Sequence, residues 1–254
     1  MRSTYAIYRK EMGHYFASPV AYVVVAMFLF VSALFFGLYL RDIVAASFGM
    51  PPDFDGPSQL LRAFLGNLFS LLMLFLLPMV TMGLFAEERK RGTMELLMTS
   101  PIREVDIVLG KFLASLTLFA VMLLPTAASV AFVYLHSDPA APLRVILSGY
   151  LGIFLFGASL IALGSFLSSL TENQIVAGVL TFGLFLVLWA IDFGTRDTES
   201  VLGQTLHYLS VINHYEDFTR GIIDTSGLVY YLSFIGFFIF LTVRSIDSLR
   251  WRRA

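Results

Sequence analysis

The chain has 254 residues, 57% of them hydrophobic and 14% charged, with a mean hydropathy of +0.79 and a net charge of −1. Soluble domains carry about 25% charged residues, so this composition excludes one and marks an integral membrane protein. Cysteine is absent, which removes disulfides, Cys-ligated zinc and thiol catalysis without fixing a compartment.

The first sixteen residues, "MRSTYAIYRKEMGHYF", set Tyr5, Tyr8, Met12, Tyr15 and Phe16 at helical spacing, with Arg2, Arg9, Lys10 and Glu11 largely off that stripe. The pattern predicts an amphipathic helix in the membrane interface, with Pro19 marking the bend into the bilayer. Runs without Asp, Glu, Lys or Arg then follow at 12–40, 63–86, 112–137, 145–171, 173–191 and 225–243. Each supplies the roughly 20 residues that a spanning helix needs, and none alternates as a barrel strand does. The prediction is an all-α integral membrane protein of one domain, 1–254, with six transmembrane helices at about 20–40, 62–85, 110–135, 145–169, 173–191 and 226–244. The first run is too long for a signal-peptide core and is expected to stay in the protein.

Twelve basic residues fall before the first span, between the second and third, and after the last: Arg2, Arg9, Lys10, Arg89, Lys90, Arg91, Arg103, Lys111, Arg244, Arg250, Arg252 and Arg253. Only Arg41, Arg62, Arg144, Arg196 and Arg220 fall in the other connections. The positive-inside rule therefore places both termini and the loop after the second span in the cytoplasm. On the other side, Pro51, Pro52 and Pro57 predict an irregular connection between the first two spans. Residues 192–224 hold Leu202, Leu206, Leu209, Ile212 and Phe218. These predict short amphipathic helices that cap the bundle or re-enter its outer half before the last span.

Catalytic chemistry is hard to assemble from this sequence. His207 and His214, with Glu216 and Asp217 near, match no HExxH-type metal spacing. "GASL" at 157–160 resembles the serine motif of intramembrane proteases, but Leu160 stands where a second glycine belongs, and the nearest candidate base, His136, ends a span. Ala158 with Ala162, and Gly164 with Ser168, are small-xxx-small pairs and read as a helix-packing seam. No charge sits mid-span, where ion-coupled carriers usually keep one. Asn67 is a polar candidate for a pathway, and Pro78 and Pro125 are candidates for kinks. "VLGKFL" lacks the glycine-rich turn of a phosphate loop. The expectation is no enzyme and no metal in this chain, with any energy supplied by another polypeptide.

The densest cluster of charge lies in "AEERKRGTMELLMTSPIRE", residues 86–104. Five charges in hydrocarbon would cost on the order of 15 kcal/mol, so the segment must lie outside it. Gly92 can release the chain from the second span, Thr93 is a plausible N-cap, Glu95 favours a helix start, and Pro101 stops the turn. Met94, Leu97 and Met98 then share an apolar face with Leu96 beside them. Such a helix either packs on its own bundle, lies in the headgroups, or enters a groove of a partner.

"EERKRGTMELLMTSPIREVDIVLGKFL" resembles the cytoplasmic loop of ABC-2 type transporter permeases, with Glu88, Gly92, Thr93, Glu95, Leu97, Pro101, Gly110 and Lys111 on the family pattern. The six spans, the N-terminal amphipathic helix and the broken outer segment extend that resemblance over the chain, and "YRKEMGHYFASPVAYV" is most similar to gliding-motility permeases. The resemblance implies an exporter in which two permease subunits, the same or related, work with two copies of an ABC ATPase that binds ATP and Mg. It implies a coupling helix at Thr93–Met98, with Glu88 and Glu95 meeting basic groups of the ATPase and Arg89–Arg91 at its rim. It also implies a multi-pass protein of the bacterial inner membrane. The outer loop is too short for a large domain and leaves room for an accessory subunit. No nucleic-acid partner is expected. A membrane scaffold that recruits a cytoplasmic protein through the same loop, without transport, is the alternative.

Overall fold

The computed structural model describes residues 2–47, 56–94, 102–138, 141–195 and 210–251, and these are helical throughout, with no strand among them. Helix α1, Arg2–Ala17, ends at Ser18, and Pro19 opens α2, Pro19–Ser47. A proline at the first helical position loses no intrahelical bond and presets φ, so the bend expected at Pro19 occurs there. Helix α3, Gly56–Ala63, runs into a π-helical turn, Phe64–Leu68, and then α4, Phe69–Thr81. Helix α5, Ala86–Lys90, is one short turn. Helix α6, Glu104–Leu123, and α7, Thr126–His136, are separated at Leu124–Pro125. Helices α8, Leu143–Leu170, α9, Gln174–Thr195, the short α10, Asn213–Thr219, and α11, Thr225–Trp251, complete the chain.

Five stretches among the described residues are long and apolar enough to cross a membrane: 21–46, 104–136, 143–170, 174–191 and 225–249. The second of the six expected spans, 62–85, departs from the continuous helix predicted for it. Its helical run starts earlier, at Gly56, passes through the π turn, and stops at Thr81. The π turn leaves backbone carbonyls without their usual partners, and inside an apolar bundle each must be satisfied by other means. The Tyr215 hydroxyl donates to the Leu65 carbonyl, and Ser70 Oγ donates to that of Gly66 at 2.7 Å.

Pro78 lies within α4 without ending it, whereas Pro125 interrupts its span. There the Thr126 hydroxyl takes up the Leu123 carbonyl at 2.7 Å and meets Tyr150 Oη at 3.0 Å.

Helix α8 is the axis of the bundle and packs against α4, α6, α9, α10 and α11. Small residues let these neighbours approach. A Cβ at Gly152, Gly157 or Gly164 would stand 2.5, 2.3 and 2.3 Å from side-chain atoms of Phe218, Phe119 and Thr81. The packing seam expected around Ala158, Ala162 and Gly164 is thus present, with Ala158 and Ala162 both buried. Ser159, in the protease-like "GASL", is fully buried and donates to the Phe156 carbonyl of its own helix at 2.6 Å. His136 instead stacks on Phe132.

A second apolar cluster, Ile7, Leu84, Phe85, Met94, Ile107, Val108 and Ile246, gathers α1, the loop around α5, the start of α6 and the far part of α11 at one end of the bundle. The π turn, α3 and α10 lie at the opposite end, beside the first turns of α8.

Candidate functional site

The charged loop is held at the end that contains the second apolar cluster. Its first anchor is Ser168, near the last turn of α8. The Ser168 hydroxyl accepts from the backbone N–H of Phe85 and Ala86, at 3.1 and 3.2 Å, and donates to the Met82 carbonyl at 2.9 Å. A helix start leaves N–H groups without intrahelical partners, and here a side chain from another helix caps them. Gly164 and Ser168 were read as a small-residue pair on one helix; Ser168 holds the loop, and a Cβ at Gly164 would stand 2.3 Å from Thr81 Oγ1.

The second anchor is Arg89. Its guanidinium donates to the Ser169 carbonyl at 2.6 Å and pairs with Glu172 at 3.3 Å. A cation against the last carbonyls of a helix is favourable for α8. Arg91 pairs instead with Glu87, one turn back.

The third anchor is ionic and nearly dry. Lys111 Nζ stands 3.0 Å from Glu11 Oε1 and 3.1 Å from Glu88 Oε2, with side-chain exposures of 3%, 10% and 15% for the three residues. The ammonium also lies 5.5 Å above the Phe85 ring. Lys10, more than half exposed, reaches Glu88 Oε1 at 3.2 Å from the rim. Charges removed from water are retained only when paired; the ammonium donates a hydrogen bond to Glu11 and lies within ion-pair distance of Glu88 Oε2, which accepts no hydrogen bond, and Lys10 approaches Glu11 as well, at 3.9 Å. Sequence reading put Glu11 with the solvent-facing charges of α1. The structure corrects this, since Glu11 is 7% exposed and belongs to the face that packs on α6.

The rest of that face explains the fit. Thr4 Oγ1 donates to Asp106 Oδ1 at 2.6 Å, and Tyr15 Oη meets Ser115 Oγ at 3.0 Å. A Cβ at Gly110 would stand 2.8 Å from Ile7 Cγ2 and 3.0 Å from the Thr4 carbonyl, so only glycine admits α1 this close. Burial pushes the Tyr15 phenol well above its ordinary pKa; the bond to Ser115 opposes the shift, and the Glu11 carboxylate adds to it. The expected stripe divides accordingly. Tyr5 and Phe16 are exposed, at 64% and 49%, while Tyr15 turns inward.

Gly92 has φ +69, a backbone state that side chains disfavour. It ends α5 with its N–H on the Arg89 carbonyl at 3.2 Å, as a helix C-terminal glycine does. The Thr93 hydroxyl donates to the Glu88 carbonyl at 3.3 Å; the N–H groups it was expected to cap lie outside the described residues. Thr93 and Met94 are helical. Met94, assigned by the sequence to a docking face, is 3% exposed and packs in the second apolar cluster. Glu95, Leu96, Leu97 and Met98 lie outside the described residues, as do His207, Leu202, Leu206 and Leu209. His214, the other half of the imagined metal pair, donates its Nδ1 proton to the Ser210 carbonyl and stacks on Tyr230.

The ion network forms one wall of an open cavity of about 760 Å³, whose other walls include Val24, Met79 and Leu118. Of the residues singled out for a pathway, Pro78, Pro125, Gly164 and Ser168 do not line it. Asn67 falls in the π turn, at the opposite end of the bundle. Lys111 and Glu11 were missed as site residues. The signal for Lys111 was its place in the Gly-Lys pair that closes the loop pattern.

Over 139 residues the chain is 27% identical to the probable multidrug ABC transporter permease YbhR of Escherichia coli K12, and to the same protein of strain O157:H7. That stretch is 54% of this chain and 37% of the relative, so the chain spans little more than a third of the curated protein it matches. Residues 5–245 match the profile described as ABC-2 family transporter protein, which covers α1, the anchored loop and all five candidate spans. The chain therefore belongs to the ABC-2 transporter family and is a multi-pass membrane protein of the permease kind.

Proposed function

We propose that this chain is the transmembrane permease subunit of an ABC-2 exporter, coupling ATP hydrolysis by a separate ATPase to export or mechanical work across the bacterial inner membrane. In this reading the chain acts in a dimer with a second permease subunit, the same or related, and each permease meets one of two ATPase copies that carry ATP and Mg. The run 56–81 serves as the second of six spans, and both termini and the charged loop face the cytoplasm, as the basic-residue distribution requires.

The observation that carries the proposal is the anchoring of the loop. Ser168, Arg89 and Glu88 fasten its family-matching first part to α8, α6 and α1. A segment meant to transmit force must be attached to what it moves, and a loop fastened at three points is. Met94 is spent on that attachment, so the residues of the implied coupling helix proposed to meet an ATPase are Glu95, Leu96, Leu97 and Met98. Glu95 would meet a basic group of the ATPase and Leu97 an apolar groove.

The test is purification in mild detergent from native membranes, identification of what accompanies the protein, and assay of ATP hydrolysis. A stoichiometric subunit with Walker motifs is expected. The double substitution Glu95→Arg, Leu97→Asp should abolish its copurification while leaving insertion of the permease intact. Recovery of the permease with a non-ATPase partner on the same loop would replace this reading with that of a recruiting scaffold.

A further inference from the structure

We propose that Lys111 is a positioning residue of the coupling apparatus: its ammonium, bridging Glu11 and Glu88, makes α1, the charged loop and the start of α6 move as one body. This rests on the reading of the loop as the point where the ATPase acts.

The argument starts from what each element could do alone. Helix α5 is five residues long, and its onward chain turns at Gly92, so backbone bonds by themselves do not fix its orientation relative to α1. Helix α1 is joined to α2 at the single break around Ser18. It reaches the loop through Ile7 in the second apolar cluster, through Lys10, an exposed contact that salt screens, and through the buried Lys111 junction, which alone ties both to α6 by charge. Lys111 belongs to α6, yet both of its carboxylate partners lie on other elements, Glu88 on α5 and Glu11 on α1, the latter a hundred positions away along the chain. Displacing the loop from α6 would separate Glu88 from Lys111. Displacing α1 would separate Glu11 from it. Either motion leaves a largely buried carboxylate without the ammonium that faces it, so the three elements are biased toward joint displacement. Gly110, next in sequence, allows α1 to approach closely enough for the bridge to form.

The chain has no cysteine, so paired spin labels can be introduced without a prior substitution. Arg9→Cys on α1 and Lys90→Cys in the loop are both exposed. The distance between labels is measured in the purified permease–ATPase complex, nucleotide-free and trapped with ATP and vanadate. The same centre and width in both states are expected for the otherwise unaltered chain and for Lys111→Arg, which keeps a cation between the carboxylates. Lys111→Met should broaden or shift the trapped-state distribution. Should that variant fail to fold, Glu11→Gln, Glu88→Gln, Lys111→Met together remove every unbalanced charge, and this triple variant should broaden in the same way. A triple variant or Lys111→Met as narrow as the unaltered chain in both states would overturn the proposal, as would a distance that changes on trapping in the unaltered chain. If no ATPase accompanies the permease, the coupling reading fails separately. The bridge is then judged in the permease alone, where Lys111→Met and the triple variant should broaden the distribution and Lys111→Arg should not.

Discussion

The two ends of this bundle are fastened by different chemistry. At the loop end, charges join the Ser168 hydroxyl in holding the elements: Lys111 between two carboxylates, and Arg89 on a helix terminus. At the opposite end, neutral hydroxyls hold backbone carbonyls. Tyr215 donates to Leu65, Tyr231 to Val211 at 2.6 Å, and Ser148 to Phe218 at 2.8 Å. Irregular backbone within a bundle needs donors that can be buried cheaply, and a phenol or hydroxyl meets that need where a charge would not. Burial pushes the Tyr215 phenol well above its ordinary pKa, with the nearby Tyr150 adding to the shift, so it stays a donor at any working pH. Charge is concentrated where the chain is proposed to meet a cytosolic partner, and a neutral clasp is used where it turns within the bundle.

Substitutions can break this contrast in graded steps, each read as a change in thermal unfolding in detergent. Lys111→Met should have the largest effect, on the order of 3–5 kcal/mol, because it leaves the largely buried Glu11 and Glu88 with only the exposed Lys10 as counterion. Gly164→Val should cost about 1–3 kcal/mol or more by driving a side chain into Thr81. It acts on the axis that joins both ends, so it should loosen the two together. Tyr215→Phe keeps the ring and removes the donor, leaving the Leu65 carbonyl unsatisfied at a cost of about 1–3 kcal/mol. Its effect should not depend on salt. Lys10→Ala removes the rim contacts to Glu88 and, at 3.9 Å, to Glu11, and should cost less than about 1 kcal/mol, a difference that shrinks further as salt is raised. A larger penalty for Lys10 than for Lys111 would mean that the network is held from its rim.

Much of this architecture was legible in the sequence, and the parts that were not share a cause. Charge-free runs located the spans because hydrocarbon excludes charge whatever the neighbours are. Gly92 was legible as a turn because such a backbone needs a residue type that tolerates it, although it closes α5 and the second helical run already stops at Thr81. The π turn was not legible, since its Leu65 carbonyl is satisfied by Tyr215, 150 positions away. Glu11 was placed toward solvent because the aromatic stripe of α1 defined one face and its charges the other. Its burial depends on Lys111, a hundred positions along the chain, which no local spacing reveals. Met94 was assigned outward for the same reason: helical periodicity identifies an apolar face without saying whether its own bundle or a partner covers it.

The central claim is that the chain beyond Met94 delivers the action of an ATPase to this bundle. Its most direct test uses the cysteine-free background: Leu97→Cys in the loop and Arg62→Cys near the opposite end, each with a photoactivatable crosslinker in native membranes. The account predicts a nucleotide-sensitive adduct between position 97 and a Walker-motif subunit, and none from position 62. Equal labelling from both positions, or an adduct from position 97 only to lipid or to the permease itself, would contradict it.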